Sequence, residues 1–205
     1  MMRRAAARLR RDSRGTTIIE FALVAPVMLL MLMGFMEVTY QAYVQSVLSG
    51  AIRKAGRDAG IQGGQLNWTA IDQTVMKQVN RVARNATMSS SVHQSYASFS
   101  KVAVPEPYTD TNGNGKYDAA TECFTDINGN GVWDADQGVV GSQGNASDVA
   151  VYTLTVQYPR LFPISRWVGW SPTATLVGTT IMKNQPYATQ SATSPKQCCP
   201  GTGCQ

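Results

Sequence analysis

The chain has 205 residues, of which 43% are hydrophobic, and a formal net charge of +5. That charge is concentrated at one end: Arg3, Arg4, Arg8, Arg10, Arg11 and Arg14 are opposed only by Asp12, and the remainder is almost neutral, which excludes a basic nucleic-acid-binding surface. A single histidine, His93, in a Ser-rich stretch without an acidic neighbour, and the lack of a P-loop or dinucleotide fingerprint, leave no enzyme constellation, so no catalytic residue is expected.

Residues 1–15 form a basic leader. Residues 16–37 then read as a transmembrane helix, since Phe21–Met36 carries no charge and a span needs about 20 mostly apolar residues. Pro26 is tolerated inside a membrane helix with a kink. Lys and Arg are retained in the cytoplasm, so the arginines place the N-terminus inside and residues 38–187 outside, as an extracytoplasmic α+β domain. Helical periodicity continues past the span. Tyr40, Tyr43, Val44, Val47, Leu48, Ala51 and Ala55 form an apolar stripe, with Gln41, Gln45, Ser49, Arg53 and Arg57 opposite. One helix is therefore predicted from about 16 to 58, ended by Gly60, Gly63 and Gly64. A second helix is predicted from about Asn67 to Arg84. Trp68, Ile71, Val75, Val79 and Val82 make its apolar face, and Thr69 with Asp72 resembles a capping box.

Residues 98–104, 149–158 and 173–183 are predicted strands, by their β-branched content and alternation. A long Gly-, Asn- and Asp-rich loop occupies 105–148. The connection between the last two strands carries Leu161, Phe162, Ile164, Trp167 and Trp170, too much apolar surface for a solvated loop. It is expected to pack on the sheet or to touch a membrane or partner. Residues 188–205 are a polar, Cys-containing tail, loosely ordered apart from its cysteines. The expected fold class is α+β: a long transmembrane and amphipathic helix, a second helix, and a small antiparallel sheet with a long inserted calcium-binding loop.

The inserted loop, 105–138, repeats with a period of 16. Glu106-Pro-Tyr-Thr-Asp110-Thr-Asn112-Gly-Asn114-Gly-Lys116-Tyr-Asp118-Ala aligns with Glu122-Cys-Phe-Thr-Asp126-Ile-Asn128-Gly-Asn130-Gly-Val132-Trp-Asp134-Ala; eleven of fourteen positions are identical or aromatic for aromatic. Each unit reads D-x-N-x-N-G-x-x-D, the first nine positions of an EF-hand-type calcium loop. Side chains at positions 1, 3, 5 and 9 and a carbonyl at 7 supply hard oxygens to Ca2+, and the glycine at 6 permits the turn. Asp110, Asn112, Asn114, the Lys116 carbonyl and Asp118 form one candidate site. Asp126, Asn128, Asn130, the Val132 carbonyl and Asp134 form the other. The usual glutamate at position 12 is replaced by Thr121 and Gln137; Glu122 from position 13 and Asp136 from position 11 are the candidates to close them. Two calcium ions are expected. Flanking prolines argue against EF-hand helices, and the pattern resembles the helix-poor calcium repeats of dockerins.

Cys123, Cys198, Cys199 and Cys204 are disulfide candidates. No CxxC spacing exists, and an extracytoplasmic location would let them pair. Cys198, Cys199 and Cys204 are all candidate partners for Cys123.

The segment Arg14-Gly15-Thr16-Thr17-Ile18-Ile19-Glu20-Phe21-Ala22-Leu23-Val24 places a basic leader, a glycine and a glutamate ahead of the apolar run. It resembles a type IV prepilin processing site and, in its Phe-Ala continuation and Pro-interrupted helix, the TadE/TadG-like pseudopilins of Tad (Flp pilus) systems. Tyr158-Pro159, Leu161-Phe162-Pro163 and Met182-Lys183-Asn184-Gln185-Pro186-Tyr187 resemble the end of TadE-type domains more loosely, with Gln185 where Glu is commoner. The resemblance implies a minor pseudopilin, a structural component of a Tad-type pilus assembly or secretion system. A prepilin peptidase would cut after Gly15, leaving Thr16 as the mature N-terminus and Glu20 to meet the terminal amine of a neighbouring subunit. Implied partners are other pilin or pseudopilin subunits, inner-membrane assembly proteins and the lipid bilayer. The implied location is the bacterial inner membrane, single-pass, with the C-terminal domain periplasmic or extracellular. The alternative is a calcium-dependent surface adhesin or matrix-binding module on a permanent anchor.

Overall fold

A computed structural model describes residues 16–61, 68–142, 144–145, 147–163, 165–184 and 194–205. The leader with Gly15, and Gln185-Pro186-Tyr187, lie outside them. The chain is α+β. It divides into two compact units, one of Met1–Tyr43 with Pro159–Ala174 and one of Val44–Tyr158 with Thr175–Gln205.

Helix α1 (Thr16–Ile61) runs through both units without interruption, Pro26 included. In the first unit it contributes the apolar stretch, the one helix among the described residues long and apolar enough to cross a membrane. Its side chains there are mostly exposed, Phe21 at 66% and Leu23 at 72%. The exception is Glu37, fully buried, whose carboxylate lies 3.4 Å from the Arg160 guanidinium and accepts from the Phe162 amide. Burying a carboxylate is costly unless it is paired, and here it is. Arg160 also donates to the Ser171 carbonyl and lies 5.2 Å from the Trp170 ring centroid. The short helix α3 (Ser165–Val168) sits within this connection.

In the second unit, α1 buries Val44, Leu48, Ala51, Ile52 and Ala55, which lie on one helical face by i, i+3 and i+4 steps with Ala51 and Ile52 side by side. Each fully buried Val, Leu or Ile contributes about 1.5–3 kcal/mol. Helix α2 (Trp68–Asn80) buries Val75 and Val79. A four-stranded sheet has the order β3-β1-β4-β5, with β1 Thr87–Tyr96, β3 Val139–Val140, β4 Val149–Pro159 and β5 Thr173–Lys183. β1 and β4 are antiparallel from Thr87↔Gln157 to Tyr96↔Val149, with an irregularity between Met88 and Ser90. The inward residues of β4, including Tyr152, Leu154 and Val156, are the centre of the core.

Two sequence expectations fail here. Residues 98–104 are not a strand: Phe99–Lys101 is a single 3-10 turn, and Ala103 has φ +55, incompatible with an extended run. The strand is instead TMSSSVHQSY, held between β3 and β4 by pairing on both edges. Asp72, read as a cap, is buried in the core.

β5 approaches α1 closely because residue 178 is glycine. A Cβ there would lie 2.4 Å from Ile52 Cδ1 and 3.1 Å from Leu48 Cγ. Beside it, Gln45 Nε2 donates to the Val177 carbonyl at 2.9 Å. Gly178→Ala is expected to lower stability by about 1–3 kcal/mol through overpacking. Gly50→Ala, whose Cβ meets nothing within 4 Å on an exposed helical position, should raise it by about 1 kcal/mol. Thermal melts of the two variants in detergent check this; equal melting temperatures would refute the close packing.

A second sheet, β2-β6-β7, is built from β2 (Phe124–Asp126) in the repeat loop and the hairpin β6 (Lys196–Cys199) and β7 (Gly203–Cys204) in the tail. The tail end is thus ordered, which its polar composition does not suggest.

Candidate functional site

The two repeat units fold alike. In the first, the Asp110 carboxylate accepts from the amides of Gly113, Asn114 and Gly115 at 2.7–3.2 Å, so the chain wraps around it. The Gly115 amide foremost holds the exposed Asp110 carboxyl below its ordinary pKa. Asn112 and Asn114 donate to the same oxygen of Asp118, at 2.6 and 2.8 Å. In the second, Asp126 accepts from Gly129 and Gly131, and Asn128 and Asn130 converge on Asp134 at 2.7 and 2.6 Å. Gly115 and Gly131, at position 6, take φ +72 and +77, a region where a side chain is strained. In each loop, the side chains of positions 1, 3, 5 and 9 are gathered within a single turn.

The two glutamates of the repeat are exchanged between units. Glu122, 1% exposed, accepts from Thr111 and Asp118 in the first loop, at 2.9 and 3.0 Å. Glu106, fully buried, accepts from Ile127 and Asp134 in the second loop, at 2.7 and 3.1 Å. Each carboxylate pins the backbone of the opposite unit at corresponding positions. The exchange is joined by a two-fold-like bridge: Thr109 donates to the Cys123 carbonyl and Thr125 to the Pro107 carbonyl, around the antiparallel pair Tyr108↔Phe124. Tyr108, Tyr117, Phe124 and Trp133 pack ring against ring beside it, Tyr117 stacking on Trp133 at 5.0 Å.

Glu106 was not among the candidate ligands read from the sequence. The signal was present, because Glu106 occupies the place of Glu122 in the repeat. Asp136, expected to close the second loop, lines one pocket with Asn128, Asn130 and Asp134, and accepts from Tyr96 Oη at 2.9 Å and Gln94 Nε2 at 3.2 Å, fastening the insertion to β1. Burial first, and this bond second, push the Tyr96 phenol upward.

Cys123 is bonded to Cys199, and Cys198 to Cys204. The second bridge joins residues paired across β6 and β7. Both Cys198 and Cys204 lie near Asp126, but as a disulfide they offer no thiolates to a metal. Asp126 pairs with Lys196 across β2 and β6, so the tail braces the first position of the second repeat loop.

His93 acquires in the fold the acidic neighbour it lacks in sequence. Its ring stacks on Trp68 at 3.8 Å and on Tyr152 at 4.6 Å, and its Nε2 lies 2.9 Å from Ser91 Oγ and 3.9 Å from Asp72. Tyr152 Oη donates to Asp72 at 2.5 Å. Burial pulls the His93 pKa down, with Asp72 opposing. Ser91 and Asp72 face the same ring nitrogen, while Nδ1 is buried without a hydrogen-bond partner among the described residues. A proton relay needs nucleophile and acid on opposite nitrogens, so this arrangement does not match one.

At the other end of the chain, α1 is described from Thr16 onward, and Glu20 lies exposed on it. A family model for TadE-like proteins matches residues 15–57, which cover this motif and α1 almost to its end. No curated protein and no solved structure gives a match.

Proposed function

From a TadE-like N-terminal segment on a single apolar helix of membrane-spanning length, we propose a minor pseudopilin of a Tad-type pilus assembly or secretion system. The observation that carries this reading is the coincidence of the family match, residues 15–57, with a helix of membrane-spanning length that carries Glu20 on the N-terminal side of its apolar run. An unpaired carboxylate in a bilayer is costly. Cleavage after Gly15 creates an amine at Thr16 that a neighbouring subunit's Glu20 can meet, and it removes the repelling arginines. The chain then sits in the bacterial inner membrane with its N-terminus cytoplasmic and its folded part periplasmic or extracellular. Its role is structural rather than enzymatic, with pilin subunits and inner-membrane assembly proteins as partners.

Co-expression with a prepilin peptidase should shorten the chain by the fifteen leader residues and expose Thr16 to N-terminal sequencing. An intact Met1 terminus under those conditions would sink this reading. It would favour a second one, a calcium-dependent adhesin on a permanent anchor, whose supporting observation is the tandem loop.

In either case the tandem loops are two Ca2+ sites in this proposal. Asp110, Asn112, Asn114, the Lys116 carbonyl and Asp118 would hold one ion, and Asp126, Asn128, Asn130, the Val132 carbonyl and Asp134 the other. The donor set is all hard oxygen, and the positions are gathered in the order such a loop requires. Bound calcium supplies the positive charge that the clustered carboxylates lack. Amides in place of carboxylates at positions 3 and 5 lower the ligand charge, giving affinities on the order of 10⁻⁴–10⁻³ M.

A further inference from the structure

The connection between β4 and β5 lies against the apolar part of α1. Phe162 and Trp167 face Pro26, Leu29, Leu30 and Met33 across a cavity of about 400 Å³. The helix residues of this cavity belong to the uncharged run that ends at Met36, immediately before the buried Glu37. With a rise of 1.5 Å per residue, Leu30 lies about 10 Å along the helix from Glu37. A side chain packed beside Leu30 is therefore inside the span and not beyond its end.

We infer that Leu161–Pro163 and Ser165–Trp170 enter the lipid leaflet at the C-terminal end of the span, so that the chain holds its membrane through a second, non-spanning element. The inference rests on the reading of α1 as a membrane helix. The occupant of the cavity and of the exposed face beside it is the acyl-chain region of the bilayer, because the wall formed by α1 is continuous with its lipid-exposed surface. Leu161 at 52% and Trp167 at 79% exposure are the surfaces that water would penalise and hydrocarbon accepts. Depths of 5–10 Å are usual for apolar faces that lie in the headgroup and acyl boundary. The polar requirements of such a place are also met. Arg160 is neutralised by Glu37 and stacked near Trp170, an aromatic suited to the interface. The Trp170 amide is bonded to the Ser165 carbonyl, and the Arg160 amide to the Pro172 carbonyl. Backbone at membrane depth must be satisfied within the protein, and these bonds close the segment on itself.

The test uses the full chain in phosphatidylcholine vesicles, with bromine on the acyl chains of half the preparations. Vesicle flotation first establishes that the chain is anchored; then lipid quenching of tryptophan emission is compared between the wild-type chain, Trp167→Phe and Trp133→Phe. The expected result is that Trp167→Phe removes at least about half of the quenchable emission and Trp133→Phe none of it. A floating chain whose quenching is unchanged by Trp167→Phe overturns the inference and leaves the anchor intact. Quenching of Trp167 that emerges only on dilution into excess lipid also overturns it, since a second copy of the chain would then cover the segment. Failure to float overturns the inference together with the spanning helix.

Discussion

Calcium at about 10 mM is expected to raise the stability of the detergent-solubilised chain by roughly 1.4–2.7 kcal/mol per site, from mass action on sites of 10⁻³–10⁻⁴ M. For a domain of this size that corresponds to a melting shift on the order of 10 °C for two sites. Magnesium should substitute poorly, because it demands tight octahedral geometry. Asp110→Ala with Asp126→Ala should abolish the shift and leave flotation with membranes unchanged. The exchanged glutamates make a sharper version possible. Glu106→Gln weakens the charged acceptor held by Ile127 and Asp134, and so should cost the second loop about 1.5–3 kcal/mol, a ten- to hundredfold loss of affinity. It should spare the first loop, although Glu106 precedes that loop in the chain. Calorimetry then separates two pairs of variants. Glu122→Gln with Asp110→Ala strikes one loop twice and should retain one site. Glu106→Gln with Asp110→Ala strikes both and should retain none at millimolar calcium. A surviving site in the latter variant would show that the glutamates do not act across the repeat.

Loss of the Cys123–Cys199 bridge should be the second large effect. It links residues 76 apart, and loop-closure scaling assigns such a link about 4.5 kcal/mol, against about 2 kcal/mol for Cys198–Cys204, which links residues 6 apart. Cys123→Ser with Cys199→Ser is expected to release the tail hairpin from β2 and make it a protease target. Because β2 ends at Asp126, paired with Lys196, the same variant should weaken calcium binding in the second loop more than in the first. Limited proteolysis and calorimetry, with and without calcium, read both consequences. Equal protease resistance of the wild-type chain and the double variant would contradict the bracing role given to the tail.

What the amino-acid sequence determined by itself was local or periodic. Helix α1 was legible to within a few residues, because an apolar run followed by an i, i+3/i+4 stripe needs only its own residues to declare a helix, and Val44, Leu48, Ala51 and Ala55 are buried as that stripe requires. The loop was legible because a repeat of 16 residues is a comparison of the chain with itself. What the tertiary structure decided was every relation between distant residues. TMSSSVHQSY has little strand character of its own and becomes one because β3 and β4 pair with its two edges, whereas the more β-like SFSKVAV has no partner strand. The sequence could not say that Asp136 is bonded to Tyr96, nor that Glu106 serves the loop beyond its neighbour. Carboxylates go wherever the fold presents donors, the Tyr96 hydroxyl for Asp136 and the Ile127 and Asp134 amides for Glu106, and those donors are positioned only once distant parts of the chain have closed on each other. The same reason places Asp72 against His93 and Tyr152, and Glu37 against Arg160, across separations of 21, 80 and 123 residues that no local pattern encodes.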